Sequence, residues 1–258
     1  MSTRLLSLAA GVMADLPVPD SVTAAAAAGW PACGVWFDHE VWTAAHEREV
    51  LRRVADSGIA VLDVEPIIVG LEPDVSERLV DAAAALGARF VLFTARVADQ
   101  ALVVERFGHA CDLAAAADPR LTIVYEFLPA FPIGTLAGAL GVVRDSGRSN
   151  GAVLVDNLHL SRSGVMPEVL HSLDPSLLPY LQVSDAPRQA PKGSDELLHE
   201  ARHARLWPGD GELPIGELLS AVPHVPLSFE VRSQRVRDTF RDPLDRAAFA
   251  WSRVHHLA

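Results

Sequence analysis

The feature that most restricts the fold of this chain is a regular alternation of short apolar runs with helical patterns. Runs that read as strands occur at Leu5–Ala9, Cys33–Phe37, Ile59–Val64, Phe90–Ala95, Leu121–Phe127, Ala152–Asp156, Leu178–Val183 and Pro226–Val231. Between them lie stretches with helical periodicity, such as EREVLRRVADSG and VSERLVDAAAALGA, and several close on a glycine (Gly29, Gly58, Gly87) as helix ends prefer. The strand runs are continuously apolar rather than alternating, which is the mark of parallel strands covered on both faces. Eight repeats of strand and helix, most of them roughly 26–31 residues apart, predict an α/β fold, a single (β/α)8 TIM barrel over residues 1–258.

One gap departs from this rhythm. The seventh and eighth strands are separated by about 50 residues, and the insert from Asp185 to about Pro214 is rich in Pro, Gly, Arg and His with weak apolar periodicity. In a barrel such an insert lies on the face that carries the active site, so it is expected to be a loop that covers a substrate. The N-terminal segment after Arg4, LLSLAAGVMA, has some look of a short export signal, but it also supplies the first strand of the series and is read as that strand.

Four polar residues stand at or near the ends of otherwise apolar runs: Glu126 in LTIVYEF, Asp156 in GAVLVDN, Gln182 in LPYLQVSD and Glu230 in PLSFEVR. Buried carboxylates are costly unless paired, hydrogen-bonded or bound to a cation. The C-terminal ends of barrel strands ring the active site, and strands five to eight are neighbours, so these four oxygen donors can share one hard divalent ion. Taken singly, each is as easily a polar residue marking a strand exit.

Composition narrows the function. A formal charge of −11 argues against DNA or an acidic membrane surface as partner, and no apolar run is long enough to predict a transmembrane helix. Cys33 and Cys111 are far apart and outside any CxxC pair, so both are expected to be buried free thiols, in keeping with a cytoplasmic protein.

The chain resembles the sugar phosphate isomerase/epimerase family, the xylose isomerase-like TIM barrels, through YEFLP, VDNLHLSRSG, QVSDAP, RLWPGDGELP and SFEV. The resemblance implies a metal site at Glu126, Asp156, Gln182 and Glu230 for one divalent ion, Mn²⁺ or Mg²⁺ first, with Co²⁺ or Zn²⁺ as alternatives. Gln182 stands where the family most often has His, which makes the donor set all oxygen. The resemblance also implies that Glu126 and Glu230 transfer protons, that His159 contacts substrate, and that Arg205 reaches a substrate oxygen. Arg96, Arg232 and Glu65 are further candidates for substrate binding, and Asp185 for orienting its neighbours or capping the loop.

The implied activity is isomerisation or epimerisation of a sugar, keto-sugar or polyol by metal-assisted proton transfer. The enzyme alternative is a lyase that dehydrates a keto-acid or keto-polyol. It is supported by Gln182, as in similar metal-dependent 3-dehydroshikimate dehydratases, by Pro132 where the family's epimerases carry a second Glu, and by arginines able to hold an anion. A metal- or sugar-binding barrel without turnover is the reading from a different class. A DNA endonuclease of the same superfamily fits poorly with the acidic charge. A homo-oligomer is compatible with all of these.

Overall fold

The computed structural model describes residues 4–258. Eight strands run in chain order: β1 (Leu6–Leu8), β2 (Ala32–Trp36), β3 (Ala60–Val69), β4 (Phe90–Ala95), β5 (Thr122–Glu126), β6 (Gly151–Asp156), β7 (Leu181–Val183) and β8 (Leu227–Phe229). Each pairs in parallel with the next, and β1 pairs with β8, so the sheet closes as a barrel. The first five helices are α1 (Val18–Ala27), α2 (Ala44–Ser57), α3 (Ser76–Ala85), α4 (Gln100–Ala117) and α5 (Leu136–Ser146). The remainder are α6 (Asn157–Arg162), α7 (Ser194–His203), α8 (Ile215–Ala221), α9 (Gln234–Thr239) and α10 (Pro243–Val254).

The predicted barrel is therefore present, and its helix boundaries follow local chemistry. Thr43 caps the start of α2 by accepting from the His46 amide, and Asp99 and Thr135 do the same for α4 and α5. Gly58 ends α2 with φ +68°, a left-handed conformation that a side chain would strain.

Side-chain alternation along the strands sorts residues between two cores. Val91, Phe93, Tyr125, Val153 and Val155 face the helices, in the large layer between sheet and helices. Phe90, Leu92, Val124, Ala152, Leu154 and Tyr180 fill the barrel interior. Counting on by twos from these inward residues reaches Glu126 on β5, Asp156 on β6 and Gln182 on β7. The polar residues of interest thus occupy the last inward positions of their strands, above an apolar plug that keeps water from the barrel floor.

Two expectations need correction. Glu65 does not end its strand: β3 continues to Val69, so Glu65 is an inward residue in mid-strand, paired with Trp36 of β2. The insert between β7 and β8 is not irregular throughout, since it carries α7. That helix, SDELLHEARH, has few apolar residues to mark a period, and it is fastened by charge instead. Arg162 at the end of α6 forms a two-pronged ion pair with Glu200 of α7 (2.7 and 2.8 Å), and the same guanidinium donates to the Pro187 carbonyl. Cys33 and Cys111 are buried and unpaired, as expected, and burial pushes both thiols up to about 12. No helix of the described residues is long and apolar enough to cross a membrane.

Candidate active site

Asp156 is the centre of the polar cluster. It is fully buried and also caps α6, its Oδ1 accepting from the amides of Leu158 (2.7 Å) and His159 (3.3 Å). Its Oδ2 accepts from Arg205 Nη1 at 2.5 Å, and Arg205 Nη2 lies 2.8 Å from Glu230 Oε2. Arg205 Nε donates to the Ala201 carbonyl, and Nη1 also reaches Ser184 Oγ. Arg205, expected on an open loop, is thus a buried bridge between two carboxylates. Its rigid fork suits that task, which a lysine could not duplicate.

The insert that delivers Arg205 is itself pinned. Asp185 accepts hydrogen bonds from the amides of Ala186, Gly209, Gly211 and Leu213, and the backbones of Asp185 and Leu206 exchange a pair of hydrogen bonds. Of the two roles considered for Asp185, capping the loop is the one seen. The Asn157 side chain donates to the Ser184 carbonyl and accepts from its amide, locking α6 to β7. Asn157 and Arg162 lie in the VDNLHLSRSG segment but were given no role from the sequence, nor was Glu200, yet they hold the site together.

Around Asp156 the remaining candidates converge. Glu126, Asp156 and His159 each place a donor atom within 4.8 Å of the others, and His159 Nε2 is 3.8 Å from Glu126 Oε1. Gln182 is registered beside Asp156 across β6 and β7, and it is completely buried with neither amide atom hydrogen-bonded. Glu230 follows β8 directly. Gly11 leaves room for it: a Cβ there would come within 2.7 Å of Glu230 Oε1. Glu65, Arg96 and Arg232 join Glu126, His159, Arg205 and Glu230 in lining a cavity of about 410 Å³. Trp36 also lines it, whereas Trp42 packs on Phe37 and Trp207 on Phe249.

The electrostatics express crowding of like charge. Burial, reinforced by Glu230 and Asp156, holds the Glu126 carboxyl well above the usual carboxylate range. Burial, reinforced by Glu230, Asp63 and Glu126, does the same to Glu65. Glu230 is pushed up to about 7 by burial and by Asp156, against the pull of Arg205. For Asp156 burial is outweighed by Arg205, His159 and its backbone bonds, and its carboxyl stays below the ordinary value. Burial lowers His159 to about 4, leaving a neutral imidazole at physiological pH.

Arg205 and Arg232 are the cations that most offset this crowding at Glu126 and Glu230, and Arg232 does so at Glu65. Gln182 offers a buried carbonyl oxygen with no other partner. The donor atoms that the structure gathers for one ion are those of Glu126, Asp156 and His159; the Gln182 carbonyl, beside Asp156, suits a hard cation, and Glu230 is engaged by Arg205.

Comparison with known proteins agrees with this architecture. A 3-dehydroshikimate dehydratase of Pseudomonas aeruginosa is 26% identical over 249 residues, covering 89% of this chain and 38% of that protein. The chain thus spans well under half the length of this curated relative. Among solved structures, a xylose isomerase-like TIM barrel/4-hydroxyphenylpyruvate dioxygenase fusion protein superposes with a TM-score of 0.82 at 24% identity, over 99% of this chain and 43% of that one. The IOLI protein with a bound zinc atom superposes with a TM-score of 0.80 at 15% identity, over 98% and 97% of the two chains. The family model for xylose isomerase-like TIM barrels matches residues 22–253, nearly the whole chain, and the protein belongs to that family.

Proposed function

We propose that this protein is a divalent-metal-dependent lyase that removes water from a β-hydroxy ketone. The observation that carries the reading is the buried cluster of Glu126, Asp156, Gln182 and Glu230, of which Glu126 and Glu230 line a cavity that can hold one small ring. A divalent ion held there would polarise the substrate carbonyl and stabilise the negative charge that develops when a neighbouring C–H is deprotonated.

The chain's own residues supply the proton chemistry. His159 stays uncharged near neutral pH, so it can accept the proton of a carbon acid, and Glu126 lies beside it to take up or return a proton. Asp156 and Arg205 do not move protons. Their short ion pair fixes the orientation of Glu230 and of the α6 terminus that carries His159. The apolar plug of Phe90, Leu92 and Leu154 excludes water from below and strengthens each of these interactions.

Dehydration is favoured over isomerisation by Gln182 and by Pro132, and by the likeness to a dehydroshikimate dehydratase. Isomerisation or epimerisation is kept as a second reading because Glu126 and Glu230 approach the same cavity from β5 and β8, an arrangement able to deliver protons to two faces of one carbon. The test is to incubate Mg²⁺- or Mn²⁺-loaded protein with 3-dehydroshikimate and follow the ultraviolet absorbance of the aromatic product. A parallel set of ketoses in D₂O is read for deuterium uptake. Dehydration with no exchange into ketoses supports the lyase. Exchange without dehydration replaces it with the isomerase, and neither, in metal-loaded protein, leaves only a binding barrel.

A further inference from the structure

Three guanidinium groups stand at the cavity without a carboxylate partner among the described residues. Arg96 follows β4, Arg232 follows Glu230 by two positions, and Arg202 projects from the last turn of α7. Two of them are held in orientation by aromatic faces, Arg96 over Phe131 and Arg232 over Trp36, each 5.4 Å from the ring centre. Arg232 Nε is buried with no hydrogen bond. Burial lowers the Arg202 pKa, and repulsion from Arg96 and Arg232 lowers it further, which places the three positive charges within reach of one another. The carboxylates beneath feel Arg232, but Arg205 already engages two of them. Like charges gathered without a counter-ion are unfavourable unless a ligand brings one.

We infer that Arg202, carried over the barrel by α7, forms with Arg96 and Arg232 the binding position for a carboxylate of the substrate, so that the site selects an anionic keto-acid over a neutral sugar. Arg205, which the sequence had suggested for this task, is committed to Asp156 and Glu230, and Arg202 takes its place. The inference rests on the lyase reading for the reactive end of the substrate only. The acid group would lie at the three arginines and the carbon acid at Glu126 and Glu230, which line the same cavity of about 410 Å³. Arg202 is here a specificity-determining residue: it chooses the substrate and takes no part in bond breaking.

Binding without turnover tests this. Mg²⁺-loaded protein is titrated calorimetrically, at fixed ionic strength, with 3,4-dihydroxybenzoate and with catechol, its counterpart lacking the carboxylate. Fructose 6-phosphate and fructose form the matching phosphate pair. The acid is expected to bind at least about tenfold more tightly than catechol, the size of one good charge-assisted contact. Arg202→Gln should remove most of that advantage while catechol affinity stays within about twofold, and Arg202→Lys should recover part of it. Equal affinity for acid and catechol overturns the inference, as does an undiminished advantage in folded Arg202→Gln. An anion advantage confined to the phosphate pair overturns the carboxylate. Should Arg202→Gln fail to fold, Arg96→Gln is read by the same criteria. An acid advantage without dehydration would remove the lyase reading and leave the arginine position standing. Dehydration without the advantage would do the reverse.

Discussion

Replacing Arg205 by Met keeps much of the side chain's volume and removes its charge. In the structure this guanidinium lies 2.5 Å from Asp156 and 2.8 Å from Glu230, and the three residues are almost inaccessible to water. Loss of one partner from a buried ion pair typically costs about 3–5 kcal/mol, because the other charge is left uncompensated. Here two carboxylates are stranded, so the upper part of that range applies. For a chain of 258 residues, 1 kcal/mol corresponds to a few degrees of melting temperature, so chelator-treated Arg205→Met should melt roughly 10 °C below wild type. Saturating Mn²⁺ should restore part of the loss, since the cation replaces some of the missing positive charge. Differential scanning calorimetry with and without metal measures both. A variant melting within about 2 °C of wild type in chelator, or showing no extra gain from Mn²⁺, would refute the claim that Arg205 is the internal counter-charge of the cluster.

Glu65, Glu126 and Glu230 bind protons more tightly folded than unfolded, so in chelator stability should fall as pH rises from the ordinary carboxyl range through about 7, and Mg²⁺ or Mn²⁺ should flatten the fall. Asp156 acts oppositely, its contribution present above its unfolded value and lost as pH falls below it; melting curves from pH 3 to 8 would show a maximum, and a flat profile in chelator would count against the crowding. Glu230→Gln should keep the fold and lower turnover by about a hundredfold or more, with metal content measured alongside; near-normal turnover at full occupancy would remove Glu230 from the chemistry. Gln182→His should shift metal preference from Mg²⁺ and Mn²⁺ towards Zn²⁺ and Co²⁺ in competition titrations, and an unchanged order would mean that position 182 does not touch the ion.

The barrel was legible because its signals are local: continuous apolar strands, helices closed by Gly58 and Gly87, and a repeat that held until the insert. The position of Glu126, Asp156 and Gln182 at the ends of their strands was legible as well, but continuously apolar runs carry no alternation, so their inward direction came only from the folded sheet. Glu65 was misplaced because Pro66 beside it reads as a strand end, yet β3 runs through both. The true partners of Arg205 were hidden because Asp156 lies 49 positions away in the chain, and only the folded insert brings them together. Arg162, Glu200 and Arg202 drew no assignment for the same reason. Nothing in their own neighbourhoods announces a partner 38 residues distant or a cavity beneath the helix.

The central claim is that one hard cation sits among Glu126, Asp156, Gln182 and Glu230. The most direct measurement is an anomalous difference map from a crystal of the Mn²⁺-loaded protein. The expected result is a single strong peak with side-chain oxygens of all four residues within about 2.0–2.6 Å. A peak held by Glu126, Asp156 and the His159 imidazole, with Gln182 turned away, would contradict the all-oxygen site, and no peak at saturating Mn²⁺ would contradict the metal itself.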